Sequence, residues 1–395
     1  MLFKLLRGLA QGCLRIHEQG ELHQFGRQVD HTDLVADIYV HDAQLYSDVI
    51  FGGSVGAGEA YMSGYWTTPN LTHVTRLFVR NIDALDAMDS KQSLVGQYLL
   101  KIFHFFNRNT KEGARKNISA HYDLGNDFFT LFLDKTMMYS SAIYPTPNAS
   151  LAEASVYKLQ RVCEKLQLTP NDHLLEIGTG WGGMAIYAAQ HYGCKVTTTT
   201  ISAEQRDFAL AKIAQAGLSE RITVLFDDYR DLRGQFSKLV SIEMIEAVGH
   251  EHYEHYFSMC SRLLAPNGLM LLQAITIADQ RYELARKTVD FIQRYIFPGG
   301  SLPSVAVISD FAKRKTDMNI LHIEDIGEHY AQTLKHWRDA FSDKLDAVRA
   351  QGFDERFIRM WEFYLCYCEG GFIERSIGTA QVLLAKPQYR NGYFQ

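Results

Sequence analysis

The stretch His173-Leu-Leu-Glu-Ile-Gly-Thr-Gly-Trp-Gly-Gly183 leaves this chain few ways to fold. A short apolar run closes on an acidic residue, passes through glycines and continues into Met184-Ala-Ile-Tyr-Ala-Ala189, which predicts a strand, a tight turn and a helix. Glycines at such a turn let the backbone approach a ligand with no side chain in the way. Gly178, Gly180 and Gly183 also satisfy the spacing G-x-G-x-x-G, which alone does not select one nucleotide class. Two details favour S-adenosylmethionine (SAM). Glu176 stands two residues before the first glycine, where a carboxylate holds the cationic amino group of a methionyl tail. The next apolar run, Lys195-Val-Thr-Thr-Thr-Thr-Ile201, ends without the acidic residue that a nicotinamide dinucleotide's ribose takes.

With 395 residues the chain buries a large core and predicts two domains. Forty basic residues against 45 acidic ones give a net charge of −5, which offers no global attraction for nucleic acid. Cys13, Cys163, Cys194, Cys260, Cys366 and Cys368 are scattered, without zinc-type pairs, and most lie in apolar segments. Buried thiols in a reducing compartment fit that pattern, and no metal site is expected. No run of about 18 apolar residues is present to cross a bilayer. The opening Met1-Leu-Phe-Lys-Leu-Leu-Arg-Gly-Leu-Ala10 carries charge inside its apolar part, so it reads as a short amphipathic helix rather than a signal peptide. It either packs on its domain or touches a membrane surface. A cytoplasmic protein is expected, and a homodimer is compatible with the sequence.

The first domain is expected over residues 1–110, linker included, and the second over 111–395. In the first, Gly58-Glu-Ala-Tyr-Met-Ser-Gly-Tyr-Trp66 reads as a helical turn and loop in a compact module. An apolar, aromatic helix is predicted over 93–106, followed by the basic linker 108–116. That helix is an interdomain strut or, with its basic neighbours, a segment lying in a headgroup layer. The second domain alternates helix and strand patterns. Strands are predicted at 173–177, 195–201, 222–226, 238–242, 268–273 and 381–385, which gives an α/β architecture with a mostly parallel sheet. Ligands in such sheets sit beyond the carboxyl ends of the strands. Residues 276–320 interrupt the alternation with a long helical pattern, an insertion expected to cover the mouth of the site.

Together the motifs resemble the cyclopropane fatty acid synthases, which include bacterial phospholipid enzymes and mycolic acid cyclopropane synthases. The residues that carry the resemblance are His121-Tyr-Asp-Leu-Gly-Asn-Asp-Phe-Phe129, Met138-Tyr-Ser-Ser-Ala142, Glu176 to Gly183, Thr200-Ile-Ser-Ala-Glu-Gln205, Asp228-Tyr-Arg-Asp231, Glu246-Ala-Val-Gly249, Phe297-Pro-Gly-Gly300 and His329-Tyr-Ala-Gln-Thr-Leu-Lys-His-Trp337. They span roughly residues 115 to 385, and the Gly58–Trp66 module is similar to the extra N-terminal domain of the phospholipid enzymes.

The resemblance implies a SAM-dependent methyltransferase fold, Rossmann-like with a seven-stranded sheet, a lipid-accepting helical insertion and a smaller N-terminal domain. It implies methyl transfer to the cis double bond of an unsaturated phospholipid acyl chain, at the inner face of the membrane. Gly178, Gly180 and Gly183 would line the methionyl part of SAM beside Glu176. Tyr139 and Ser140 would close over it, Thr200 and Gln205 would take the ribose region, and Asp228 and Tyr229 the adenine side. Aromatic faces stabilise the cation left after transfer, with Tyr295, Phe297, Tyr330, Phe363 and Tyr364 as candidates. The resemblance also implies a bound bicarbonate that removes the final proton. Glu246, Tyr330 and the backbone of Ile275 match its cage, while Ser141 and Gln273 stand where the family has cysteine and histidine. Retained anion binding with cyclopropane as product is one reading of those two changes; methyl transfer ending in a branched or methylene chain is the other. A lipid-binding or SAM-binding paralogue without activity is the alternative of another class. Glu246 is expected to act at the step that handles the cation, either by orienting the bicarbonate or by taking the proton itself.

Overall fold

The computed structural model describes residues 2–28, 34–82, 124–390 and 392. The apolar helix expected at 93–106 and the basic linker lie outside them. A four-stranded sheet opens the described chain: β1 (Cys13–Glu18), β2 (Glu21–Gly26), β3 (Val35–Val40) and β4 (Trp66–Thr67), in spatial order β2-β1-β3-β4. Sequence reading gives no sheet here, because these strands are short. The β1–β2 hairpin turns through Gln19 and Gly20, both with positive φ (50° and 85°), the backbone that matches strand twist. Helix Leu2–Leu6 packs on this unit, with Phe3 against the rings of His23, Phe25 and Tyr46. Residues 58–62 end the helix Gln44–Met62, and Trp66 enters β4.

Packing divides the described chain into two units, and the division differs from a cut near residue 110. Residues 287–298 and 334–376 group with the N-terminal segment; the remainder, to 286, then 299–333 and from 377, forms the other unit. The reason is helix Glu355–Ile373, which is too apolar to stand in water and lies against helix Leu71–Arg80. At Gly370 a Cβ atom would come 2.3 Å from Thr75 Oγ1, so only glycine permits this approach. Thr75 Oγ1 donates to the Cys366 carbonyl, Tyr61 donates to Glu362 at 2.8 Å, and Glu374 accepts from Arg76 and Arg80. Phe363 stacks among Tyr61, Phe291 and Tyr367, and Tyr295 bonds Glu59. Core packing therefore occupies Phe363.

The second unit is built on seven strands: β5 (His173–Ile177), β6 (Lys195–Thr199), β7 (Ile222–Leu225), β8 (Phe236–Ile242), β9 (Leu264–Ile277), β10 (Asn319–Asp325) and β11 (Ile377–Ala385). Their order is β10-β11-β9-β8-β5-β6-β7. The pairs from β9 through β8, β5 and β6 to β7 are parallel, and β11 runs antiparallel to both β9 and β10. Neighbouring residues of the central strands point into different cores. Leu175, Leu239 and Leu272 face helices Tyr253–Leu263 and Val305–Lys315, while Leu174, Val240 and Leu271 face helices Leu151–Lys165 and Gly183–Tyr192. Burial on both faces explains why these strands read as unbroken apolar runs.

Six of the seven strands match the sequence reading to within a few residues, except that β9 is longer. The seventh, β10, alternates exposed and half-buried residues at the sheet edge and carries little apolar signal. The long helical pattern expected over 276–320 is instead three short helices, Tyr282–Ala285, Phe291–Tyr295 and Val305–Lys315. Pro298 and Pro303 within the Phe-Pro-Gly-Gly-Ser-Leu-Pro run break it.

Candidate active site

Five parallel strands end at one edge of the sheet, and the expected cofactor residues collect there. Glu176, on β5, is 3% exposed and accepts from Thr198 Oγ1 of β6 at 2.6 Å; Thr198 also pairs with Thr179 Oγ1 at 2.7 Å. Burial pushes the Glu176 carboxyl up to about 8, against smaller opposing effects of Thr198 and the Lys158 ammonium. A cationic group placed beside this carboxyl would favour its ionised form and bring the value down again. The glycine turn has two distinct jobs. Gly180 has φ 50° and nothing within 4 Å of where its Cβ would stand, so space is left open there. At Gly183 a Cβ would come 2.4 Å from the Thr136 carbonyl, so that glycine admits the loop carrying residues 139–141.

That loop is held from several sides. Tyr139 meets Phe129 at 5.3 Å between ring centroids, Phe129 meets Trp181 at 4.9 Å, and Trp181 Nε1 donates to Asn126. Ser140 Oγ accepts from Lys158 Nζ at 2.7 Å. Thr200 Oγ1 donates to Gln205 Oε1 at 3.0 Å, and Ser202 caps the helix on which Gln205 is buried. Asp228 is gripped by Arg230 through two bonds of 2.7 Å, so its carboxylate is already engaged by a residue the sequence reading left out. The Tyr229 hydroxyl is buried with no partner among the described residues.

The expected anion cage also comes together, around a residue that sequence reading missed. Glu243, directly after β8, is half-buried. Its Oε1 accepts from Ser141 N at 2.9 Å and Gln273 Nε2 at 2.8 Å, and its Oε2 accepts from Tyr330 OH at 2.8 Å. Gln273 is oriented by Gln381 Nε2, which donates to its Oε1 at 2.8 Å. Ser141 contributes its backbone N–H; its hydroxyl donates to the Ala142 carbonyl. Glu246 Oε1 accepts from Ile275 N, and its Oε2 is buried with no partner among the described residues. Burial first, then repulsion by Glu243, pushes Glu246 up to about 8. Burial raises Glu243 as well, but three donors and Lys158 pull it back. The two carboxyls thus sit in unlike surroundings: three donors and Lys158 favour the charge on Glu243, while burial and repulsion favour the proton on Glu246. A signal for Glu243 was present: an acidic residue at the carboxyl end of a buried strand, three positions before Glu246.

Lys158, also missed, is wholly buried and pulled down to about 8, chiefly by burial, against the carboxylates of Glu243, Asp134 and Glu176. It is the positive charge shared by the glycine-turn pocket and the cage. Lys158→Met keeps the volume and removes that charge, so Glu176 should ionise at a pH higher by on the order of one unit. Calorimetric SAM titrations between pH 6 and 9 check this; a pH profile superimposable on the wild type would remove Lys158 from this role. Among the described residues no cluster of histidine, cysteine and acidic side chains is arranged to hold a metal ion.

The family model for mycolic acid cyclopropane synthetase matches residues 109–382. The chain belongs to this family. It is 40% identical over 331 residues to tuberculostearic acid methyltransferase of Mycobacterium tuberculosis, covering 81% of this chain and 76% of that protein. It is 37% identical over 363 residues to cyclopropane-fatty-acyl-phospholipid synthase of Escherichia coli, covering 89% and 88%. Among solved structures, a mycolic acid cyclopropane synthase crystallised with S-adenosylhomocysteine and CTAB superposes with a TM-score of 0.64 at 32% identity, over 69% of this chain and 98% of that one. By family and by fold this is a SAM-dependent methyltransferase.

Proposed function

We propose that this enzyme methylates the cis double bond of an unsaturated phospholipid acyl chain and closes the product to a cyclopropane. The observation that carries the reading is a pair of half-buried carboxylates, Glu243 and Glu246, set beside the glycine-turn pocket in a chain that spans 88% of the Escherichia coli synthase. Bound SAM supplies an electrophilic methyl group on a sulfonium. The chain's own residues do the rest. Glu176 receives the amino group of the cofactor, Gly180 leaves room for its tail, and Thr200, Gln205 and Tyr229 form the remaining walls. The alkene is a weak nucleophile, so holding it in line supplies several kcal/mol. The alkene's π pair forms the new C–C bond and leaves a cation on the chain, which a dry site keeps from water. Loss of one proton from the added methyl then lets the C–H pair close the ring.

The second reading, methyl transfer without ring closure, rests on a specific observation: Ser141 and Gln273 hold an internal carboxylate, and tuberculostearic acid methyltransferase is 40% identical. There the proton leaves a neighbouring chain carbon. Substrate access from a bilayer surface belongs to both readings; no helix among the described residues is long and apolar enough to cross a membrane.

The test uses purified enzyme, SAM and vesicles of dioleoyl phosphatidylglycerol. The enzyme should sediment with the vesicles at low salt, and the fatty acids should gain one CH₂. A ring and a branched alkene share that mass, so hydrogenation under mild conditions separates them: the alkene takes up two hydrogens and the ring does not. Fatty acids unchanged in mass, from enzyme that binds SAM, would refute lipid methylation.

A further inference from the structure

We infer that Glu243 is the built-in proton acceptor of this enzyme, and that its carboxylate stands where the resemblance implies a free bicarbonate ion. The inference rests on the methyl-transfer reading above. Three donors of the cage are already turned to Glu243: Ser141 N–H and Gln273 N–H to one oxygen, Tyr330 O–H to the other. Three such bonds favour the charged form of the carboxylate, against the upward pull of burial, and hold both of its oxygens on fixed donors. The remaining cage groups face each other, since the Ile275 N–H is spent on Glu246. A free anion placed here would find its donors taken and two carboxyl groups at its side. The bicarbonate does not fit this site.

The backbone bears the mark of the same assignment. Glu243 has φ 49°, a left-handed conformation that costs a non-glycine residue free energy and that glycine adopts without strain. Its N–H donates to the Gln273 carbonyl at 2.8 Å, which fastens the residue across β8 and β9 despite that conformation. Strain accepted at an acidic residue whose carboxylate gathers three donors beside the cofactor residues fits a functional role. In the chemical step, Glu243 takes the proton from the methyl-bearing cation, the C–H electron pair stays on carbon to form the last bond, and the neutral carboxyl afterwards returns its proton to water.

Glu243→Gly is the decisive variant, because glycine relieves the positive φ and opens a space the size of a small carboxylate. SAM titration confirms that the variant is folded. Wild-type turnover on dioleoyl phosphatidylglycerol vesicles should be indifferent to removal of bicarbonate. Glu243→Gly should lose on the order of 10²- to 10⁴-fold in turnover, recover part of it with added bicarbonate or formate, and bind ¹³C-bicarbonate by NMR where the wild type does not. Glu243→Gln fills the same space with a group that takes no proton, so its loss should resist rescue. A wild type that depends on bicarbonate, a Glu243→Gly enzyme at full turnover without added anion, or one that binds SAM but neither binds nor answers to bicarbonate would each overturn the inference. Bicarbonate binding is read without turnover, so it decides the anion site even if the wild type fails to methylate these lipids and the functional reading falls instead.

Discussion

Replacing Glu176 by alanine should weaken SAM binding by a factor on the order of tens to hundreds, for a lost charge-assisted interaction of about 2–3 kcal/mol. The structure adds a pH signature to that loss. Without ligand, burial holds the Glu176 carboxyl up to about 8, so around neutrality the pocket carries a proton there. The cofactor's ammonium requires the ionised form, and binding must release that proton. Affinity should therefore tighten by roughly tenfold per pH unit from about pH 6 to about pH 8. Above that range the ligand's own α-amino group, ordinarily about 7.7–8.0, gives up its charge and the gain ends. In Glu176→Ala the acidic limb of this profile should be flat. Calorimetry in buffers of different ionisation enthalpy counts the proton directly. Wild-type affinity in a folded variant, or no proton release by the wild type, would take Glu176 out of the site.

The largest effect on stability is expected in the other unit, at Arg338. Its guanidinium donates to Glu369 at 2.9 Å, and Thr72 Oγ1 donates to the same carboxylate oxygen at 3.0 Å. Glu369 lies on the face of Glu355–Ile373 that meets helix Leu71–Arg80 and is 5% exposed. Arg338→Met removes the charge and leaves the carboxylate buried, which should cost about 3–5 kcal/mol. Removing both charges together, as Arg338→Met with Glu369→Leu, should recover most of that loss, since an apolar pair of similar volume matches or exceeds a buried ion pair. Urea melts of the two variants make the comparison. A single variant whose midpoint equals the wild type would mean that water reaches Glu369 after all.

The sequence by itself determined what depends on neighbours along the chain. The strand, turn and helix of 173–192 were legible because an apolar run, glycines with positive φ and a helical pattern follow one another within twenty residues, and each acts locally. The parallel direction of most strands from β5 to β9 followed, since helical patterns separate most of them; their spatial order did not. Residues 139–141, 176–183, 200, 205, 228, 246, 273, 275 and 330 were reachable through the motifs around them. What stayed hidden depends on distance. The three donors on Glu243 come from positions 102, 30 and 87 residues away, so the acidic residue at the end of β8, though visible in the chain, carries no local sign of what surrounds it. Lys158 reads as an ordinary residue on an amphipathic helix until the fold places it among Ser140, Glu176 and Glu243. The grouping of Glu355–Ile373 with the N-terminal helices likewise rests on contacts between residues roughly three hundred positions apart, the approach of Gly370 to Thr75 among them. Burial and charge at a site are summed over every segment that reaches it, and only the tertiary structure performs that sum.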